Sequence, residues 1–126
     1  MCLFSNTPIP SIAQEDIICY KRFEIHSLFK KLLLTPFRLE VVDSEEFPYM
    51  FKASSNKPIS PIYSPNVIGY AIGEGFIHAY IEKPLPPSNI EYCTVLCKIH
   101  KGTKYYVSWD RSDLCASEME LIKIIT

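Results

Sequence analysis

The chain has 126 residues, a formal net charge of −1 and an apolar fraction of 48%. Such a length and composition are typical of a globular domain with its own core, and they exclude a disordered or fibrous protein. The near-neutral charge offers no basic field for a phosphate backbone, so nucleic acid is not an expected partner.

Residues 1–14 are predicted to be an extended lead-in, because Pro8 and Pro10 prevent a helix there. The first residues lack the basic and apolar regions of a signal peptide. The sequence also lacks the roughly 18 consecutive apolar residues that a membrane-spanning helix needs. We therefore expect a cytoplasmic protein without a membrane partner.

Three short segments follow the lead-in. Residues 16–25 are rich in β-branched and aromatic side chains, which is typical of a strand. Residues 27–34, SLFKKLLL, fit either a strand or a helical turn, and Pro36 ends the segment in both cases. Residues 37–43 alternate between apolar and polar side chains, the pattern of a half-buried strand.

Residues 45–65 are rich in proline, serine and asparagine, which predicts a long irregular loop. Loops of this length in compact domains are usually functional or mobile. We expect this loop to take part in capturing a partner.

The second half of the chain predicts further strands. Residues 69–82 fit two strands around a tight Gly73-Glu74-Gly75 turn, and residues 90–100 fit a central strand. The segment KYYVSWD and the closing EMELIKII add two more. The expected architecture is a single domain, residues 1–126, of the α+β class and dominated by β structure. It would contain six to seven short, mostly antiparallel strands and one or two short helices.

Five cysteines are an odd number in a chain without a recognisable export signal, which favours reduced thiols over a disulfide framework. Cys93 and Cys97 would share one face of a strand. A zinc site is the alternative, with His100 close by, but no second pair of ligands follows at a matching spacing. We therefore predict no metal.

Aromatic side chains supply the candidate binding residues. One group follows the glycine turn and the other lies in the segment KYYVSWD; together they are Phe76, His78, Tyr80, Tyr105, Tyr106 and Trp109. If exposed, they would form a stacking surface for a ring or an anchor for a protein partner. The alternative is that one aromatic face belongs to the core and that His78 is a core or rim residue.

Several segments together resemble a family of short uncharacterised proteins from Bacteroides-type gut bacteria and their phages and prophages. The matching stretches are MCL at the start, residues 15–21, 33–38, 73–80 and 97–118. This resemblance implies a phage or prophage context, with the host cytoplasm as the location if the chain is phage-encoded. It implies no particular chemistry, because that family has no established activity.

A second resemblance concerns the C-terminal Glu118-Met119-Glu120. The sequence from KIHKGTKYYVS to ASEMELIKI is similar to the C-terminal half of ADP-ribosyltransferases, which carry an E-x-E pair. The resemblance implies that Glu120 would hold a ribose hydroxyl of NAD, Glu118 would orient the acceptor, and Arg22 or Lys21 would neutralise the pyrophosphate. The sequence departs from that family because the Ser-x-Ser strand is missing. The alternative is that both glutamates are structural.

The leading hypothesis is a non-enzymatic cytoplasmic binding or accessory protein of phage or prophage type. It would need no cofactor and would capture a protein or a small nucleotide-like ligand. The second hypothesis is an ADP-ribosyltransferase-like enzyme, either active or degenerate in catalysis, that uses NAD with Arg22, Glu118 and Glu120. The missing Ser-x-Ser and the proline-broken middle segment favour binding over catalysis.

Overall fold

The computed structural model describes residues 3–35, 40–52, 62–64, 69–72, 76–88 and 90–125. Regular structure in these ranges is almost entirely β. The strands are β1 (Leu3–Ser5), β2 (Ser11–Ile12), β3 (Ile17–Ile25), β4 (Leu32–Leu34), β5 (Val41–Asp43), β6 (Tyr49–Lys52), β7 (Ile62–Ser64), β8 (Gly69–Ile72), β9 (Ile77–Tyr80), β10 (Tyr92–Ile99), β11 (Lys104–Val107), β12 (Asp113–Ala116) and β13 (Glu118–Ile124).

The predicted α+β class is wrong. In the described part of the chain the only helical element is the 3-10 helix Ser44–Glu46, and the strands form a ten-stranded and a three-stranded sheet instead of six or seven strands in total. The segment 27–34 explains the error about helices. A single helical turn is costly to nucleate, whereas a turn followed by β4 lets Leu33 pair between β3 and β5 and become fully buried.

The strand count was too low because proline-rich segments also contribute strands. β2 lies in the predicted extended lead-in, and β6 lies in the segment that was predicted to be an irregular loop. In β6 the alternation places Phe51 in the core while its neighbour Lys52 is exposed. The Gly73-Glu74-Gly75 turn and residues 37–39 lie outside the described residues. The end of the strand predicted at residues 37–43 is β5.

The larger sheet has the order β2-β11-β12-β9-β3-β10-β13-β6, with β4 beside β3 and β5 beside β4. Its longest pairing joins β3 to β10, antiparallel, from Ile17 opposite Ile99 to Glu24 opposite Tyr92. All strand pairings among the described residues are antiparallel, which suits a chain whose short strands follow one another through turns.

A single residue, Ser117, joins β12 to β13. β12 pairs with β9 and β11, whereas β13 pairs with β10 and β6. Because β9 pairs with β3 and β3 pairs with β10, the two strands on either side of Ser117 are also connected through the sheet. The larger sheet must therefore curl so that its concave face encloses one core.

The side chains on the concave face form the main core. They alternate with outward-facing residues along every strand, as the period of two requires. Fully or almost fully buried members include Cys19, Phe23, Ile77, Ala79, Cys93, Val95, Cys97, Ile99, Leu114, Ala116, Met119 and Leu121. Lys21 shares the concave face of β3 and lies opposite Val95, and its Nζ donates to the backbone oxygen of His78 at 2.8 Å.

A second, smaller cluster lies on the opposite face of β11 and β12. Ile72 of β8, Tyr106 and Cys115 are buried there, and Tyr70 and Phe76 pack against them. The three-stranded sheet β1-β8-β7 therefore covers the outer face of β11 and β12. β12 is consequently buried on both faces.

Four cysteines, Cys19, Cys93, Cys97 and Cys115, are free and buried; Cys2 lies outside the described residues. Cys19 lies directly opposite Cys97 across β3 and β10. The side-chain hydrogen bond with Cys19, and then burial, raises the pKa of Cys97. Burial raises the pKa of Cys93 to about 11 and that of Cys115 to about 12. The thiols of Cys93, Cys97 and Cys115 stay protonated and unreactive while the chain is folded.

In the described part of the chain, no helix is long and apolar enough to cross a membrane.

Replacing Leu121 with alanine tests the core. Leu121 has 0% exposure, so Leu121→Ala should lower the free energy of unfolding by about 2–5 kcal/mol through lost burial and a residual cavity. Ile124 lies on the same strand but is 42% exposed, and Ile124→Ala should change it by less than about 1 kcal/mol. Urea denaturation measures both, and equal losses would contradict the different burial of the two side chains.

Alkylation tests the thiols. Under native conditions iodoacetamide should label the four buried cysteines slowly, because each is shielded and three have raised pKa values. After denaturation without reductant, intact-mass measurement should find an adduct on every one of the five cysteines. Two missing adducts would reveal a disulfide, for which Cys19 and Cys97 are the nearest candidates.

Candidate functional site: the arch groove

The N-terminal segment forms an arch beside β11. It pairs with β11 at Ser11, opposite Tyr105, and touches the same side again where Trp109 N donates to Phe4 O at 2.9 Å. Pro8 and Pro10 lie between these contacts and have no N–H to continue a ladder of strand hydrogen bonds. The segment therefore leaves the strand edge and returns to it.

One hydrogen bond fixes the middle of this arch. The hydroxyl of Tyr106 donates to the backbone oxygen of Pro8 at 2.8 Å. The ring of Tyr106 is itself held by Phe76, whose ring centroid lies 5.3 Å away in an edge-to-face arrangement. Burial, and then the nearby Cys115, raises the pKa of Tyr106, so the hydroxyl remains a donor at neutral pH.

A groove of about 280 Å³ lies between the arch and β11; we call it the arch groove. Its lining residues come from the arch and from residues 105–111. They are Ser5, Asn6, Thr7, Ile9, Ser11, Tyr105, Tyr106, Val107, Ser108, Trp109 and Arg111. This volume is close to the lower end of the range of roughly 300–1,000 Å³ for small-molecule sites, and the mixture of rings with hydroxyl and amide groups suits a small polar ligand.

The edge of β11 presents backbone groups to the arch groove. Ser117 N donates to Lys104 O, and Ser108 N donates to Asp113 O, so the even-numbered residues direct their backbone groups toward β12. The odd-numbered residues point the other way because neighbouring residues of a strand alternate. Trp109 N does so when it donates to Phe4 O. The N–H and C=O of Val107 therefore face the arch groove.

Arg111 is the charged residue of the site. Among the described residues that line the arch groove, it alone has a charged side chain, and none of the hydrogen bonds or ion pairs of the described residues involves its guanidinium. Its φ of 61° is in the left-handed region, which non-glycine residues adopt infrequently. Such backbone conformations are often found at ligand-binding positions.

The neighbouring carboxylate is bound to other groups. Asp110 Oδ1 accepts hydrogen bonds from Ser108 Oγ at 2.7 Å, from Ser112 Oγ at 2.8 Å and from Ser112 N at 3.1 Å. The hydrogen bond from Ser108 and those from Ser112 lower the pKa of Asp110. The turn at residues 108–112 is thus organised around Asp110, and Arg111 is left directed to solvent at the groove.

The six predicted binding residues separate into two groups. Tyr105, Tyr106 and Trp109 line the arch groove, and Trp109 is 59% exposed. Phe76, His78 and Tyr80 lie on or beside β9 and are not among the groove residues. Phe76 packs in the second cluster and thereby supports Tyr106.

His78 and Tyr80 face outward from β9, while Ile77 and Ala79 face the main core, as their alternation predicts. His78 lies opposite Cys115 of β12, and Tyr80 lies opposite both Asp113 and Tyr20. The backbone oxygen of His78 accepts the hydrogen bond of Lys21. This contact ties the concave face of β3 to β9.

The E-x-E pair lies on the convex face of β13, and both glutamates have basic neighbours. Glu120 Oε1 is 3.2 Å from His100 Nε2, and a carboxylate oxygen of Glu118 is 3.9 Å from Lys52 Nζ. The side chains of Glu118 and Glu120 are 36% and 27% exposed. This arrangement is the one expected for partly solvated glutamates on the outside of a sheet.

Arg22 does not share a cleft with Glu120. Glu120 lies opposite Lys98 of β10, and Lys98 lies opposite Ile18 of β3. Arg22 lies further along β3 than Ile18, opposite Thr94 of β10. At about 3.3 Å per residue and about 4.8 Å between strands, these positions are separated by ~13 Å along the strands and ~10 Å across them. A guanidinium nitrogen of Arg22 donates instead to the backbone oxygen of Leu85.

Sequence reasoning missed the arch and Arg111. Residues 1–14 were predicted only as an extended lead-in, and no role was predicted for Arg111. The prolines at positions 8 and 10 indicated that this segment cannot pair continuously, but its return to Trp109 depends on tertiary contacts. Nothing in the local sequence distinguishes Arg111 from an ordinary turn residue.

Comparison of the chain with protein-family models, with curated proteins and with solved structures gives no match. Among the described residues, no group of three or more histidine, cysteine, aspartate or glutamate side chains is arranged to hold a metal ion. The assignment of the site therefore depends on its geometry alone.

Glu120→Gln tests the structural interpretation of the E-x-E pair. A partly exposed ion pair contributes about 0–1 kcal/mol, so the free energy of unfolding should fall by no more than that. Incubation of the wild-type protein with labelled NAD and host lysate should transfer no label. If label is transferred, and Glu120→Gln abolishes the transfer while the fold is retained, the ADP-ribosyltransferase hypothesis replaces the structural one.

Proposed function

We propose that this chain is a non-catalytic binding protein, cytoplasmic and of phage or prophage type, that holds a small ligand in the arch groove. The observation that carries the proposal is the combination of an exposed Trp109 and an unpaired Arg111 in one groove. An indole exposed at a groove provides a stacking surface, and a guanidinium without a protein partner provides an anchor.

The size of the groove favours a small ligand over a protein partner. A stable protein–protein interface buries on the order of 800 Å² on each partner, whereas this site is a concave space of about 280 Å³ under an arch. The arch also blocks the edge of β11 from pairing with the strand of another chain.

Binding is favoured over catalysis because the groove lacks a nucleophile with an activating base. Its hydroxyls belong to serine, threonine and tyrosine, and no histidine, cysteine, aspartate or glutamate is among the described residues that line it. Ser108 Oγ donates to the Asp110 carboxylate and accepts the backbone N–H of Asp113. The hydrogen bonds from Ser108 and Ser112 lower the pKa of Asp110, which makes it a weak base for general acid–base or nucleophilic chemistry. The phage or prophage context is supported by the resemblance of residues 15–21 and 97–118.

Trp109 is the only tryptophan in the sequence, so its fluorescence reports on the groove without interference. We expect saturable changes in emission when small aromatic compounds are titrated, and we expect each compound to be recovered chemically unchanged. Isothermal titration calorimetry should show that Trp109→Ala weakens binding by roughly 1–3 kcal/mol, the usual contribution of ring stacking.

Tyr92→Ala is the matched control, because Tyr92 is an exposed aromatic residue on β10 and does not line the groove. It should bind the same compounds with unchanged affinity. If no compound gives a saturable change, or if Tyr92→Ala weakens binding as much as Trp109→Ala does, the arch groove is not the ligand site.

A further inference from the structure

We infer that the ligand of the arch groove is a nucleotide-like molecule, in which a planar heteroaromatic ring carries one anionic group. The inference rests on the proposed function and assigns the ligand's chemistry. Three groups with different requirements meet in this one groove: the indole of Trp109, the backbone edge of Val107 and the guanidinium of Arg111.

Trp109 selects for a planar ring. The backbone of this residue is anchored, because Trp109 N donates to Phe4 O at 2.9 Å, while the residue remains 59% exposed. Its side chain lines the groove, where an indole can stack on another π-system. Stacking alone accepts any ring, so it does not determine which ring is bound.

Val107 selects for a ring with hydrogen-bonding groups along one edge. Its N–H and C=O face the groove in the gap between the contact of Ser11 with Tyr105 and that of Phe4 with Trp109. A donor and an acceptor from one residue match a ring edge that carries an adjacent acceptor and donor, as nucleobases do. A plain hydrocarbon ring would leave these backbone groups without partners, which disfavours its binding.

Arg111 selects for an anion. It is the one charged residue among the described residues of the lining, and its guanidinium matches the geometry of a phosphate or carboxylate. The carboxylate next to it in the sequence, Asp110, accepts hydrogen bonds from Ser108 and Ser112 through Oδ1. The hydroxyls of Ser5 and Thr7 each accept a backbone N–H two residues further on, which leaves their own O–H groups available as donors to the ligand.

The three groups come from one short stretch of chain, in which Arg111 N donates to Ser108 O at 2.9 Å and closes a turn. A ligand that contacts all three must join a ring with donors and acceptors on its edge to an anion through a short linker. A mononucleotide contains these three parts.

Three probes separate these contributions: adenosine 5′-monophosphate, adenosine and ribose 5-phosphate, each titrated into the full chain and followed by Trp109 emission and calorimetry. We expect the monophosphate to bind at least fivefold more tightly than adenosine, and ribose 5-phosphate to give no saturable change. Arg111→Gln should reduce the affinity for the monophosphate to that for adenosine and leave adenosine binding unchanged, whereas Arg111→Lys should retain an intermediate affinity. Both variants keep an unbranched side chain at the position with φ of 61°, so they share its backbone strain.

Lys101→Gln is the matched control, because Lys101 is an exposed lysine in another turn and does not line the groove. It should leave all affinities unchanged. Equal binding of adenosine and its monophosphate, or an Arg111→Gln variant with wild-type affinity for the monophosphate, would overturn the assignment of the anion. If all three probes fail while other small aromatic compounds still perturb Trp109, the ligand class is wrong but the proposed function stands. If nothing perturbs Trp109, both are wrong.

Discussion

The connection at Ser117 is the constraint on which the rest of the fold depends. One continuous piece of chain supplies β12 to one part of the sheet and β13 to another, so both parts must meet at this residue. The curl that results turns Phe23, Val95 and Leu121 toward one another and excludes water from them. Apolar burial of this kind contributes about 25 cal/mol per Å², which makes the junction and the core mutually dependent.

The curl also determines where a ligand site can form. β12 lies between β9 and β11 and is buried on both faces, so it offers no surface. β11 lies one strand further out, and among the described strands its outer edge pairs with the two-residue strand β2 alone. An edge strand exposes backbone donors and acceptors. The arch shields these groups from other strands while leaving space beside Val107 for a smaller molecule.

The sequence predicted the strands with strong alternation and missed those that depend on distant partners. Residues 16–25 and 90–100 were recognised because β-branched and aromatic residues dominate them, and they became the central pair β3 and β10. β2 and β6 have too few residues for a pattern to emerge, and they exist because β11 and β13 offer them an edge. For the same reason, Tyr105, Tyr106 and Trp109 could be predicted as candidates from their chemistry, whereas Arg111 could not, since only the tertiary position of its turn brings it to the groove.

The construction of the arch bears on how tightly it can hold a ligand. Binding sites in flexible loops must be ordered when the ligand arrives, and this ordering reduces affinity. Pro8 and Pro10 restrict the backbone of the arch before any ligand is present. The hydroxyl of Tyr106 holds the arch by donating a hydrogen bond to Pro8 O, and the ring of Phe76 packs against the ring of Tyr106. The second hydrophobic cluster therefore does more than cover β12, because through Tyr106 it restrains the arch. The Arg111 side chain, which no other described residue binds, can adjust to its ligand.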